Sequence, residues 1–131
     1  MRKLTYEELI MYHDIALNLG LPEDHNIKGL EGILNNHLLE SVIEAPFATM
    51  FGEELYSTDE EKIVVTVCSI IKYHCFRDAN KRTGMLIFKA LLKECDIKIE
   101  ATKDDYEQLA LGIATTYTKE NVIDWINNHK I

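Results

Sequence analysis

The chain has 131 residues, enough for one domain, residues 1–131, with a core of its own, and nothing in it calls for a second. Its formal net charge of −8 argues against a surface built to hold nucleic acid directly, because phosphate-backbone binding relies on accumulated Lys and Arg, but it leaves room for a local basic site. Cys68, Cys75 and Cys95 form no CxxC pair and cannot all be bridged within one chain, which suits a reducing compartment. The stretch Met1–Glu8 turns acidic where a signal peptide needs an apolar run, and no apolar segment is long enough to span a bilayer. A cytoplasmic protein with no membrane partner is therefore expected.

Thr5 with Glu8 forms a capping box, and Leu9, Ile10, His13 and Leu17 follow on one helical face before Gly20-Leu21-Pro22 ends the segment. Leu30, Ile33, Leu34, Leu38, Ser41 and Val42 recur at helical spacing and predict a second helix that Pro46 stops. Between Phe47 and Tyr56 the periodicity breaks, and the stretch reads as a small hairpin or an ordered loop. Ser57 with Glu60, or Thr58 with Glu61, then opens a helix that is apolar on nearly every side (Ile63, Val64, Val65, Val67, Cys68, Ile70, Ile71) and belongs at the centre of the core.

That central helix delivers His74 to a loop. From about Lys81 the pattern is helical again through Leu86, Phe88, Ala90, Leu91 and Leu92, so the loop Phe76–Asn80 leads into a helix N-terminus that favours an anion. Asp96–Glu100 reads as a short strand or extended connector. A cap within Thr102–Asp105 opens a helix carrying Tyr106, Leu109, Ala110, Ile113 and Ala114, and Thr118 caps a last helix with Val122, Ile123, Trp125 and Ile126. The fold expected is all-α, a compact bundle of about six helices with a possible small β-hairpin.

The stretch His74-Cys75-Phe76-Arg77-Asp78-Ala79-Asn80-Lys81-Arg82-Thr83-Gly84 concentrates the chemistry. A neutral imidazole at His74 can accept a proton from an attacking hydroxyl. Asp78, the one carboxylate of the stretch, suits Mg²⁺, which takes one or two carboxylates besides phosphate oxygens and water. Asn80, Lys81 and Arg82 can hold phosphates, Arg82 by a forked contact and Lys81 as a point charge. Phe76 is expected to pack inward and fix the loop, and Arg77 to point outward. Each residue taken singly has an ordinary structural explanation: a helix-end His, a turn with an N-cap, a solvated Lys-Arg pair. Their joint order at a helix–loop–helix junction points instead to a site for a nucleoside triphosphate.

Other readings of these residues are weaker. Cys75 stands beside His74, but adjacent side chains diverge in direction and no third orienting group is evident, so a packed or neutral thiol is expected. His13, His25, His37 and His129 show no paired spacing that would complete a zinc site with His74 and Asp78. The run Thr58-Asp59-Glu60-Glu61 is a helix start and not a calcium loop.

The pattern His-x-Phe-x-Asp-Ala-Asn-Lys-Arg from His74 to Arg82 resembles the signature of the Fic/Doc superfamily, and specifically its death-on-curing toxin branch. Leu4–Asp14 is similar to that branch's opening helix, Leu38–Val42 with Pro46 to its second helix, and Tyr56–Lys62 to the approach to its central helix. The resemblance implies a Fic-like domain in which His74 is the general base, Asp78 the metal-binding acid, and Asn80 and Arg82 phosphate contacts. In adenylylating Fic enzymes the position of Lys81 is Gly, and a second Arg stands where this chain has Met85. A Gly admits phosphates close to the backbone, whereas Lys fills that space and adds charge.

In Doc-like proteins the nucleotide sits reversed, so the resemblance implies transfer of the γ-phosphoryl group of Mg²⁺-ATP to a Ser or Thr of a target protein. It implies the toxin of a bacterial type II toxin–antitoxin system, a target of the elongation factor Tu class whose modification arrests translation, and an antitoxin covering the active site. It also places a target-positioning flap at 47–56, where an ordinary interhelical loop is the alternative. Thr116–Asn121 fits a permissive self-inhibitory pattern, which is discounted because the Arg that its Glu would pair with is replaced by Met85. Two alternatives stand beside this reading: AMP transfer to a protein hydroxyl by the same loop, and a non-enzymatic nucleotide- or partner-binding module.

Overall fold

A computed structural model of the protein describes residues 1–19, 33 and 35–131. Six α-helices among these residues, with one two-stranded hairpin, make an all-α fold. Helix α1 (Tyr6–Asn18) starts at the expected capping box, in which the Thr5 hydroxyl accepts the Glu8 N–H at 3.1 Å and the Glu8 carboxylate accepts the Thr5 N–H at 3.0 Å. It buries Leu9, His13, Ala16 and Leu17. The expected stop at Gly20-Leu21-Pro22 lies outside the described residues.

Helix α2 (Asn36–Glu44) begins later than the periodicity from Leu30 predicts. The Asn35 side chain accepts the N–H groups of His37 and Leu38 and so sets the start. Ile33 is buried by an isolated antiparallel bridge to Phe76 and not on a helical face, while Leu30 and Leu34 lie outside the described residues. Ser41, expected on the inner face, is exposed, and its hydroxyl donates to the His37 carbonyl at 2.9 Å. Pro46 sits in a 3₁₀ turn, Ala45–Phe47, that follows α2 directly.

The break after Phe47 is a hairpin. Strands β1 (Thr49–Met50) and β2 (Glu53–Glu54) pair antiparallel with Thr49 opposite Glu54 and Met50 opposite Glu53. The two turn residues, Phe51 (φ 52°) and Gly52 (φ 80°), are both left-handed, the backbone that a two-residue turn needs to match strand twist.

Helix α3 (Asp59–Tyr73), capped by Thr58, is buried without interruption from Lys62 to Ile71 and forms the axis of the core. Full burial of side chains such as Ile63, Ile70 and Ile71 stabilises by about 1.5–3 kcal/mol each. Its buried polar groups are all satisfied: the Thr66 and Ser69 hydroxyls donate to carbonyls one turn back, and Lys62 donates to the Tyr56 carbonyl and pairs with Glu54 at 3.3 Å.

Helix α4 (Asn80–Glu94) returns against α3. A Cβ at Gly84 would stand 2.7 Å from Ile71 Cγ1, so the glycine is what lets the two helices approach so closely just behind the loop that joins them. The stretch 96–100 is an extended connector: Ile99 bridges Lys130, and the Glu100 N–H donates to the His129 carbonyl at 2.9 Å. Helices α5 (Lys103–Thr115) and α6 (Lys119–His129) each open on a capping box, Thr102 with Asp105 and Thr118 with Asn121. Ala114, expected inward, is exposed, and Leu109, Ala110, Gly112 and Ile113 carry the buried face of α5. Among the described residues no helix is long and apolar enough to cross a membrane.

Candidate functional site

The site grows out of the α3–α4 junction. His74 ends α3 in a left-handed conformation (φ 50°, ψ 58°), which breaks the helical path and leaves the imidazole exposed. The next two residues then turn inward: Cys75 and Phe76 are 0% and 1% exposed. Burial pushes the Cys75 thiol up to about 11, so near neutral pH it stays protonated and unsuited to nucleophilic attack.

Phe76 anchors the loop by its ring and by its backbone. The ring stacks on His13 of α1 with centroids 3.9 Å apart and planes 4° from parallel. Its N–H donates to Asn80 Oδ1 and its carbonyl accepts from Asn80 Nδ2, both at 3.0 Å. The Asn80 amide thus gives one donor and one acceptor to Phe76. Asn80 therefore closes the turn, a role that the sequence reading, which gives this side chain to phosphate, does not include; its second Nδ2–H is not used in these bonds. The physical reason is the tightness of the turn, which brings an amide four residues on level with the Phe76 peptide groups.

Asp78 and Ala79 form the bend between these anchors. His13 Nε2 lies 3.1 Å from the Asp78 carbonyl, and because a carbonyl only accepts, the ring must carry its proton on Nε2. Burial holds the pKa of His13 below its ordinary value, with the bond to Asp78 and the charge of Asp14 opposing, so the ring is neutral at neutral pH. Ala79 is left-handed (φ 62°, ψ 24°) and caps α4 with no side-chain hydrogen bond, whereas each of the other α-helices has a Thr or Asn cap. The first helical bond runs from the Thr83 N–H to the Ala79 carbonyl at 2.9 Å, so the N–H groups of Asn80 and Lys81 have no helical carbonyl to bond. A left-handed residue followed by a right-handed helix gathers such N–H groups into a concavity that suits an anion.

Asp78 and Arg82 face each other at this helix start. Asp78 Oδ1 is buried without a hydrogen-bond partner among the described residues, and Arg82 Nη2 stands 3.6 Å from it, one turn into α4. Lys81 is exposed at the same helix start. A carboxylate oxygen with no hydrogen-bond donor, paired only at ion-pair distance with Arg82 among the described residues and next to a helix N-terminus, is of the type that a hard divalent cation shared with phosphate oxygens takes. Among the described residues no three His, Cys, Asp or Glu side chains gather as a larger metal cluster. Beyond Lys81 and Arg82 a groove of about 670 Å³ runs between α4 and α5, walled by Met85, Leu86, Tyr106 and Leu111. Lys89, Lys103 and Glu107 also border it, so apolar and aromatic walls stand among several cations, which suits a molecule with a phosphate tail and a flat head.

His13 was legible in the sequence only as a polar residue on an otherwise apolar helical face; nothing in its spacing indicates that it reaches a loop 65 residues away. The Thr116–Asn121 stretch touches the end of α3 through one bond, from Lys72 Nζ to the Tyr117 carbonyl at 2.8 Å. Thr118 caps α6, and Glu120 borders Glu61, Val64 and Val65, roughly two turns or more of α3 from His74.

A model of the Fic/DOC family matches residues 3–92, which takes in α1, the whole of His74–Gly84 and nearly all of α4. A search of curated proteins finds no match. With a family match over well more than half its length, the chain belongs to the Fic/DOC family, whose members are typically protein-modifying transferases.

Proposed function

We propose that the protein transfers the γ-phosphoryl group of ATP to a Ser or Thr hydroxyl of a target protein, as the toxin of a bacterial type II toxin–antitoxin pair. The observation that carries the choice of group is the pair Lys81 and Met85. Lys81 stands exposed where adenylylating relatives have Gly, and Met85 places a thioether, 9% exposed, where they have a second Arg. A guanidinium missing from that position removes a fork for the phosphates of a nucleotide lying in the adenylylating direction, and a lysine at the helix start favours a terminal, fully charged phosphate.

In this reading His74, exposed at the mouth, accepts the proton of the target hydroxyl as its oxygen bonds to the γ-phosphorus and the bond to the β–γ bridging oxygen breaks, releasing ADP. The main-chain N–H groups at the start of α4, with Lys81 and Arg82, hold the phosphates in line. Asp78 Oδ1 would hold Mg²⁺, which when bound supplies neutralising charge to the phosphate oxygens. The groove between α4 and α5 takes the rest of the nucleotide. The hairpin 49–54, all of whose strand residues are exposed, offers its edge to an extended segment of the target. Elongation factor Tu is the target class, and an antitoxin segment lying over the site would silence it.

The test is a parallel incubation of the purified protein, Mg²⁺ and a bacterial lysate with ATP labelled at the γ- or the α-phosphate. Label from γ alone on a single band, lost in His74→Ala, is expected. Label from α would replace the proposal by nucleotidyl transfer, and label from neither would leave a binding module.

A further inference from the structure

We infer that His13 is a positioning residue, holding the Asp78–Ala79–Asn80 bend in the shape that the anion nest requires. The bend is costly in itself: Ala79 is left-handed, and no side chain caps the helix it opens. Such backbone persists only where the surroundings over-determine it. Two groups do so here. From inside the loop, Asn80 clamps both peptide groups of Phe76. From outside, His13 of α1 donates Nε2–H to the Asp78 carbonyl at 3.1 Å while its ring lies flat on Phe76.

For packing alone, histidine is a poor choice at this place. It is 1% exposed, and its Nδ1 is buried without a hydrogen-bond partner among the described residues. Leaving a buried polar atom unpaired is destabilising, and a phenylalanine would stack on Phe76 without it. The one polar return on this imidazole is the bond to the carbonyl of Asp78, which fixes the peptide plane between Asp78 and Ala79. That plane aims the Asp78 carboxylate and sets where the N–H groups of Asn80 and Lys81 point. The catalytic part of the inference rests on the transfer reading above; the conformational part does not.

His13→Phe keeps the stack and removes the donor, and His13→Gln restores a donor of similar reach. Two readouts are needed. Amide hydrogen exchange follows the bend whether or not the protein is an enzyme: in His13→Phe the amides of Phe76 and Thr83, bonded to Asn80 Oδ1 and the Ala79 carbonyl, should exchange at least about tenfold faster while those of α3 stay unchanged, with His13→Gln close to wild type. Label transfer from γ-ATP should fall at least about tenfold in kcat in His13→Phe, with partial recovery in His13→Gln. Wild-type exchange at Phe76 and Thr83 in His13→Phe would overturn the inference, as would faster exchange with unchanged transfer, or a loss that spreads to α3 and is not recovered by Gln. If the wild type itself transfers no label, the transfer reading falls, and exchange alone still decides whether His13 holds the bend.

Discussion

Asn80→Ala separates two roles that an asparagine in this motif can have. In the structure its amide serves the Phe76 N–H and carbonyl, both at 3.0 Å, at a place where Phe76 is 1% and Asn80 9% exposed. Alanine leaves two buried backbone groups unpaired, and each such group costs about 1–3 kcal/mol. Two effects offset part of this: alanine is the better helix former by about 0.5 kcal/mol, and the site is near enough to the surface for water to reach one of the groups. A net loss of about 2–3 kcal/mol follows, which for a domain of this size lowers the melting temperature by roughly 10 °C.

Calorimetry, with urea unfolding to check that the m-value is unchanged, measures it directly. An Asn80→Ala protein that melts within about 2 °C of wild type while losing transfer would refute the reasoning and return the side chain to the phosphate. Asn80→Asp sharpens the test. An ionised carboxylate still accepts the Phe76 N–H but sets an acceptor against the Phe76 carbonyl, and protonation restores a donor. Its deficit should shrink as the pH falls through the ordinary carboxylate range.

Three further substitutions test other parts of the structure. Phe51 is left-handed (φ 52°) and 98% exposed, so Phe51→Asn, which tolerates that backbone and suits a two-residue turn before Gly52, should stabilise by about 0.5–1 kcal/mol in urea unfolding; a loss of stability would mean the ring is held in the fold. Gly84→Ala drives a Cβ to 2.7 Å from buried Ile71, and overpacking of about 1–3 kcal/mol against a helix-propensity gain of about 1 kcal/mol leaves a net loss near 1 kcal/mol; a more stable variant would show that α3 and α4 can part at no cost. The Glu8 carboxylate is held by the Arg2 guanidinium at 2.8 and 2.5 Å and by the Thr5 N–H, and its pKa falls from 4.5 to about 2. Because the folded value is the lower one, the stabilisation is present above 4.5 and lost as pH falls from there to about 2. Melting temperatures between these pH values should drop less steeply in Glu8→Gln, and equal slopes would sink this assignment.

What the sequence made legible depends on how local the determining interaction is. Thr5 with Glu8, Thr58 with Glu61 and Thr118 with Asn121 are pairs three residues apart, and helix starts follow from them directly. The burial of α3 follows from an unbroken apolar run. The start of α2 was not legible, because apolar spacing extends back to Leu30 and only the conformation of Asn35 decides where the helix begins. Sequence alone does not separate the hairpin from a loop, since two-residue strands carry too little alternation to read and Phe51 is an unusual residue for its turn. In the site, the candidates His74, Asp78, Lys81 and Arg82 were legible from residue types and order, and Asp78 and Arg82 lie 3.6 Å apart. The use of Asn80 and the reach of His13 were not, because both depend on the left-handed backbone at Ala79, which no side chain announces.

The charge of the chain bears on how the groove meets its ligand. A net charge of −8 repels ATP at long range, while Lys81, Arg82, Lys89 and Lys103 border the groove, with Glu107 set 3.9 Å from Lys103. At physiological ionic strength the Debye length is about 8 Å, so distant acids are screened while cations touching the phosphates, partly shielded by protein, are screened much less. Raising salt therefore weakens attraction and repulsion together, unlike the case of a uniformly basic polyanion-binding surface, where every phosphate contact steepens the loss. Mg²⁺-ATP affinity, measured by calorimetric titration from about 20 to 200 mM salt, should fall by less than about tenfold. A fall of a hundredfold or more would mean that binding rests on the summed field of the basic groove and not on the compact nest at the start of α4, and the site as described would be wrong in its energetics.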